Sequence, residues 1–218
     1  VGSEMCIRDR NMNLLFIIIQ IKRRIESSFF WRYGRWQFKH CHIIYGKDLM
    51  VNGRMILDIS PKAEVRIGDG CFFKSGRGIN PLASNIKGVI KVHDNASVVI
   101  GNHCGFSSPI INIWHSLTMG DYVQVGAHVI FLDSDNHSLN YIDRRDADMD
   151  DRNKKSKAIV IGDDVLIGAN SMVLKGVTIG ARSVIGAGSV VTCNIPDDVI
   201  AAGNPAKVIK ILRERNDD

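Results

Sequence analysis

The segment DSDNHSL at residues 133–139 spaces Asp133, Asp135 and His137 two residues apart. In an extended chain side chains alternate between faces, so these three share one. Histidine titrates near neutrality, so it can take a proton from a hydroxyl and give it up again. Either aspartate could orient the imidazole through its second nitrogen or bind a hydroxyl of a ligand. The same residues also have a local use, because Asp and Asn stabilise turns and a histidine can simply cap a coil.

The elements that hold this segment follow a period of six. Between Ile161 and Val191 an aliphatic residue recurs at Ile161, Ile167, Val173, Ile179, Ile185 and Val191. Glycine follows at Gly162, Gly168, Gly180 and Gly186, and small or β-branched residues stand four positions on at Val165, Ser171, Val177, Ser183 and Ser189. Six matches neither a helix nor a simple strand; it marks a hexapeptide solenoid in which each unit is one short strand and a corner. Ile67, Phe73 and Ile79 keep the phase, residues 80–97 are irregular, and Ile100, Phe106 and Asn112 resume it. Met119, Val125 and Phe131 follow after a step of seven from Asn112, which predicts one inserted residue at a corner. The expected fold is therefore an all-β solenoid, a parallel β-helix over residues 56–205. The charged run at 143–157 reads as part of a loop, 140–158, extruded beside His137. Such a run is usually solvated surface, but long loops in compact domains often act as lids.

With 45% hydrophobic residues the chain can bury a core, which argues against disorder. Cys6, Cys41, Cys71, Cys104 and Cys193 are scattered and odd in number, which argues against a disulfide framework or structural zinc and for a reducing, cytoplasmic setting. Residues 1–10 (VGSEMCIRDR) resemble a translated sequencing adapter and are set aside as non-native. Residues 11–55 form a basic and aromatic cap region, with a short helical segment expected at 12–28. Its apolar run, Leu14–Ile19 and Ile21, is shorter than a spanning helix requires. Lys22, Arg23, Arg24, Arg32, Arg35 and Lys39 interleave with Phe29, Phe30, Trp31, Tyr33 and Trp36. Residues 12–39 thus suit either padding of the open first coil or peripheral contact with the inner membrane surface. No nucleic-acid motif accompanies the charge. Pro196, Gly203 and Pro205 end the coils, and Val208, Ile211 and Leu212 predict a C-terminal capping helix over Ala206–Arg215, within a terminal region 206–218.

The stretch IGDDVLIGANSMVLKGVTIGARSVIGAGSVVT (161–192) and GNPAK (203–207) resemble the hexapeptide-repeat acyltransferases, among them galactoside, maltose and surface-polysaccharide O-acetyltransferases. The resemblance covers roughly residues 60–212 and is strongest from 119 onward. It implies a left-handed coil of about 18 residues, three hexapeptides per turn, and a homotrimer with active sites between subunits. DSDNHSL resembles the part of that family carrying its catalytic histidine, so His137 is the implied general base, with a backbone N–H as the implied oxyanion donor. Acetyl-CoA is the implied co-substrate. Motif match assigns the coenzyme A groove to Ala169, Ala187 and Thr192, and the nucleotide phosphates to Lys207 and Lys210. At Cys193 the chain departs from the lysine that commonly follows the threonine. Zinc-dependent members of the solenoid class use a close histidine pair that His103, His115, His128 and His137 do not form, so no metal is expected. The function implied is acyl-CoA-dependent O-acetylation of a sugar hydroxyl in bacterial surface-polysaccharide biosynthesis. N-acylation of a nucleotide-linked amino sugar and a non-catalytic trimeric scaffold are the alternatives.

Overall fold

The computed structural model describes residues 2–76 and 86–212, with side chains from residue 14 onward except those of residues 23, 24, 26 and 27. An N-terminal helix, α1 (Gly2–His40), leads into a solenoid of three sheets, parallel except for the terminal strand of the second. The first sheet stacks Ile44–Tyr45, Glu64–Ile67, Ser97–Ile100, Ser116–Met119, Ile159–Ile161 and Thr178–Ile179. The second stacks Met50–Asn52, Phe72–Lys74, Gly105–Ser107, Gln124–Val125, Leu166–Ile167, Val184–Ile185, Val199–Gly203 and Ala206–Ile211. The third stacks Met55–Ile59, Gly88–Val92, Ile110–Ile113, Ile130–Leu132, Met172–Leu174 and Val190–Val191. The chain visits the sheets in turn and climbs one strand per circuit, forming the left-handed β-helix.

The period of six is the physical basis of this stack. Each ladder residue points inward, and its equivalents pair in register: Ile100 with Met119, Val125 with Ile167, Phe131 with Val173, Ile161 with Ile179. All of these are buried, and each such side chain removed from water stabilises the fold by about 1.5–3 kcal/mol. The second inward set includes serines, whose hydroxyls donate to backbone carbonyls: Ser171 to Gly186 O (3.0 Å) and Ser183 to Pro196 O (2.7 Å). Buried hydroxyls satisfied in this way avoid a desolvation cost. Glycine at the corner allows the next coil to close: a Cβ on Gly162 would lie 2.6 Å from Ala181 N.

Coils start earlier than residue 56. Tyr45, Val51 and Leu57 already recur every six residues and pair with Ile67, Phe73 and Ile90. Ile79 lies outside the described residues. Ile111, not Asn112, is the inward ladder residue that pairs with Phe131. The extra length between Ile111 and Met119 therefore sits at Trp114–His115, in the corner between the third and first sheets. That corner is also where the chain leaves the solenoid between Leu132 and Ile159.

Both ends differ from expectation. Helix α1 runs well beyond residues 12–28, because the aromatic and basic stretch contains no proline and Gly34 sits inside the helix where it crosses Val51. A Cβ on Gly34 would come within 2.5 Å of Val51 Cβ. Phe38 is buried and extends the internal aromatic column, its ring 5.7 Å from Phe73, which stacks on Phe106 at 4.6 Å. Thus only the final turns of α1 cap the first coil, while Phe29, Trp31, Tyr33 and Trp36 are exposed. At the other end, Ala206–Ile211 is not a helix but a strand antiparallel to Val199–Gly203. The helical spacing of Val208, Ile211 and Leu212 yields to the β-branched run through Ile209 and to the open edge of the last coil. Residues 213–215 of the expected helix lie outside the described residues.

Candidate active site

The third-to-first corner builds the candidate site around His137. Just after Ile130–Leu132, Asp133 turns inward and is fully buried. Its carboxylate accepts the backbone N–H groups of Trp114 (2.8 Å), His115 (2.7 Å) and Ser116 (2.9 Å), organising the enlarged corner of the preceding coil. Burial pushes this carboxyl above the ordinary aspartate range, opposed by the three amide hydrogen bonds. Asp135 is ion-paired with Lys175, which follows the strand Met172–Leu174. Neither aspartate therefore reaches His137; both brace the corner beneath it.

The carboxylate that does reach the imidazole comes from the extruded segment. Residues 143–157 are not an irregular loop: they form a 3-10 turn at Asp143–Arg145 and a short helix, α2 (Ala147–Asn153). Asp146 caps α2 by accepting Met149 N (2.9 Å), and acidic residues in the first turn suit the positive helix end. Asp150 of α2 then faces back toward the solenoid. Its Oδ2 lies 2.6 Å from His137 Nδ1, and its Oδ1 accepts Ser138 N at 2.6 Å. These two hydrogen bonds, with the imidazole contact the larger influence, hold the Asp150 carboxyl below its usual range. A carboxylate can only accept, so Nδ1 carries a proton, and in the neutral imidazole Nε2 then presents its lone pair. The His137 side chain is 70% exposed, leaving Nε2 open to an incoming hydroxyl.

Further contacts pin the extruded segment. Ser138 Oγ and Asn153 Nδ2 both donate to Asp143 Oδ2, at 2.8 and 2.9 Å. Arg144 donates to Ser138 O (2.6 Å), and Lys157 N to Asp133 O (2.8 Å). Lys154 lies with its Nζ 3.0 Å from the ring centre of Trp114 and is only 10% exposed. His93 stacks on the same indole and contacts Asn112 Oδ1 through Nε2 at 3.1 Å. Burial lowers the His93 pKa, which favours its neutral form. Asn136 accepts from Asn112 Nδ2 (3.2 Å) and Trp114 Nε1 (3.1 Å), linking three coils in one polar network. His115 lies in the same corner one coil below, its backbone N–H bound by Asp133, while His128 sits at another corner, adopts φ 57° and contacts Asn170 at 3.4 Å.

Sequence reasoning missed Asp150, Trp114, Lys154 and Lys175. Asp150 carries no local signal, standing 13 residues from His137 in a run where most residues are charged. The residues matched to coenzyme A lie elsewhere. Ala169 and Ala187 occupy successive levels of the second-to-third corner, where Ala169 O accepts Gly188 N at 2.8 Å. That corner precedes the strand Met172–Leu174, whereas Asp135, two residues from His137, pairs with Lys175 just after the strand, at its opposite end. Thr192 ends Val190–Val191 on the His137 side, beside Cys193. Lys207 and Lys210 are exposed on the terminal antiparallel strand. A single chain thus does not bring the base and the two alanines together. Among the described residues no three His, Cys, Asp or Glu side chains converge to hold a metal ion.

Residues 158–193 match the family described as bacterial transferase hexapeptide (six repeats). The galactoside O-acetyltransferase of Escherichia coli K12 is 39% identical over 102 residues, 47% of this chain and 47% of that protein. The 2,3,4,5-tetrahydropyridine-2,6-dicarboxylate N-acetyltransferase of Clostridium perfringens is 54% identical over 59 residues, 27% of this chain and 25% of that protein. The chain thus spans about half or less of the curated relatives it matches. A hexapeptide-repeat containing acetyltransferase from Vibrio cholerae, solved with acetyl coenzyme A, superposes with a TM-score of 0.54 and 28% identity, covering 84% of this chain and 79% of that one. Through its six-residue ladder, its three-sheet left-handed coil and these matches, the chain is similar to the hexapeptide-repeat acyltransferases, with residues 158–193 carrying that family's repeats.

Proposed function

We propose that the chain is an acetyl-CoA-dependent O-acetyltransferase that acts on a sugar hydroxyl, with His137 as general base. The observation that carries this reading is the 2.6 Å contact between His137 Nδ1 and Asp150 Oδ2 beneath an exposed Nε2. A hydroxyl is a poor nucleophile until a base takes its proton. Nε2 accepts that proton as the oxygen attacks the thioester carbonyl, and Asp150 stabilises the imidazolium so formed. The tetrahedral oxyanion takes a hydrogen bond from a backbone N–H. Collapse of the intermediate breaks the carbon–sulfur bond, and the imidazolium returns the proton to the departing coenzyme A thiolate. No acyl-enzyme is needed.

The donor site is read as intersubunit. The separation of the Ala169–Ala187 corner from His137 supports a homotrimer in which one chain's groove faces a neighbour's base. In this reading Ala169, Ala187 and Thr192 let the pantetheine arm approach the backbone, and Lys207 and Lys210 meet the nucleotide phosphates as flexible point charges. The acceptor belongs to surface-polysaccharide biosynthesis on the cytoplasmic side, with peripheral contact at the inner membrane face through residues 12–39.

An amino-sugar acceptor would meet the same imidazole, but a free amine needs less activation, and the built His137–Asp150 pair favours the hydroxyl. Incubating the chain with acetyl-CoA and panels of sugars and amino sugars, with mass detection of products, tests this reading. O-acetylated sugar that disappears with His137→Ala is the expected result. N-acetylated product alone would move the assignment to the amine, and a chain that consumes no thioester with any acceptor would be a scaffold.

A further inference from the structure

Helix α1 is far longer than a cap requires. Its last turns pack through Gly34 and Phe38, yet the segment N-terminal to them stands clear of the solenoid. Leu14, Leu15, Phe16, Ile17, Ile18 and Ile19 are each 39–62% exposed, and Ile21 and Ile25 are exposed as well. Six consecutive apolar residues on a helix cover its whole circumference, not one stripe, which is the pattern of a helical segment buried in an apolar medium. No helix among the described residues is long and apolar enough to cross a membrane. From Leu14 to Ile21 the rise is about 10 Å, roughly a third of the hydrocarbon thickness of a bilayer.

Charge and aromaticity follow at once. The sequence places Lys22, Arg23 and Arg24 directly after the apolar run, then Arg32, Arg35 and Lys39, with Glu26 as the one acid between residues 14 and 40. Trp31, Tyr33 and Trp36 are exposed on this stretch, and Arg35 lies over the Trp31 ring. Tryptophan and tyrosine settle at headgroup depth because one end is apolar and the other polar. At the same level a crevice of about 260 Å³ opens between α1 and the strand Met55–Ile59. Phe29, Phe30 and Tyr33 line its helix side, and Arg54 and Lys87 come from the solenoid. Neither Arg54 nor Lys87 has an ion-pair partner among the described residues.

We infer that α1 is an interfacial anchor: its apolar run, Leu14–Ile19 with Ile21, enters one leaflet, and the crevice bounded by Phe29, Phe30, Tyr33, Arg54 and Lys87 holds the phosphate headgroup of an anionic lipid. This sharpens the peripheral contact named in the functional reading and is independent of acyl transfer. An anionic leaflet matches the cationic collar, whereas a second copy of this helix would bring like charges together.

Flotation of the full chain with vesicles of phosphatidylcholine alone, and of phosphatidylcholine mixed with phosphatidylglycerol, tests the anchor. The chain is expected to float with the mixed vesicles and far less with the neutral ones, and added salt should weaken binding. Leu15→Ser with Ile18→Ser should reduce partitioning by about tenfold or more. Arg54→Ala with Lys87→Ala should reduce it roughly tenfold on mixed vesicles only. Unchanged binding of acetyl-CoA in both variants separates loss of the anchor from misfolding or from failure of the enzyme assignment. Equal binding to neutral and anionic vesicles, absence of flotation, or variants that float like the wild type would overturn the inference. So would a higher oligomer dispersed by Leu15→Ser with Ile18→Ser in the absence of flotation, because that assigns the helix to a second copy of the chain.

Discussion

Asp150 Oδ2 and His137 Nδ1 lie 2.6 Å apart although the first belongs to a helix outside the solenoid and the second to its corner. The catalytic candidate is therefore oriented by the segment that leaves the coil, not by the coil itself. Replacing His137 by Ala should lower turnover by about 10²–10⁴-fold while leaving the fold intact. Replacing Asp150 by Asn should lower kcat by about tenfold or more, because an amide can turn its NH₂ toward Nδ1 and favour the wrong tautomer. In the double variant the losses should not add, since the residues act as a unit. Steady-state kinetics on the four proteins measure this, and additive losses would separate Asp150 from the base.

The same pair sets a pH dependence. The folded-state pKa of Asp150 is depressed, so its contribution is present above the unfolded aspartate value near 3.9 and is lost as pH falls through the lower folded value. The packing of α2 against His137 should hold from neutrality down through about pH 5 and fail only below about pH 4. Carboxyl carbon shifts of Asp150 report this directly. A midpoint at or above the ordinary aspartate value would show that the hydrogen bonds to His137 and Ser138 are not formed in solution.

Replacing residues 143–154 with a short Gly/Ser connection should preserve folding, because the ladder from Ile161 onward pairs without them. It should lower kcat as far as Asp150→Ala does, since it removes the same carboxylate, while acetyl-CoA affinity stays near that of the intact chain. A shortened chain with full kcat would leave α2 as surface only.

Lys154 over the indole of Trp114 ties the end of the extruded segment to the body. A buried cation–π contact contributes up to about 2 kcal/mol, so Lys154→Met should loosen α2 without unfolding the coils. Limited proteolysis should then cut within 143–153 faster, with little change in global Tm; equal cleavage rates would show that Lys154 does not restrain the segment.

Phe73 stands between Phe38 of α1 and Phe106 of the next coil level. Phe73→Ala should cost about 3–5 kcal/mol of stability and undock the last turns of α1. Urea unfolding measures the first effect and the fluorescence of Trp36 the second; a loss below 1 kcal/mol would mean that the column collapses to fill the space.

Much of this molecule is a local property of residue order. A six-residue recurrence with small residues at fixed offsets is satisfied by neighbours one coil away, so the ladder from Ile161 to Val191 specifies the solenoid without reference to distant contacts. His137 stands out as a candidate for the same reason, since DSDNHSL lies at one place in the chain. Tertiary structure decided everything that depends on the chain returning to itself. Only the path of residues 140–158 selects Asp150 over Asp133 and Asp135, and only the enlarged Trp114–His115 corner commits Asp133 to three backbone amides. The apolar spacing after Pro205 fitted a helix, but the open edge of Val199–Gly203 offered hydrogen bonds that a helix there would have left unmade, and the chain became a strand. Periodicity sees an element and its neighbours along the chain; partners brought together by a corner, a fold-back or a free sheet edge are settled only when the coils are stacked.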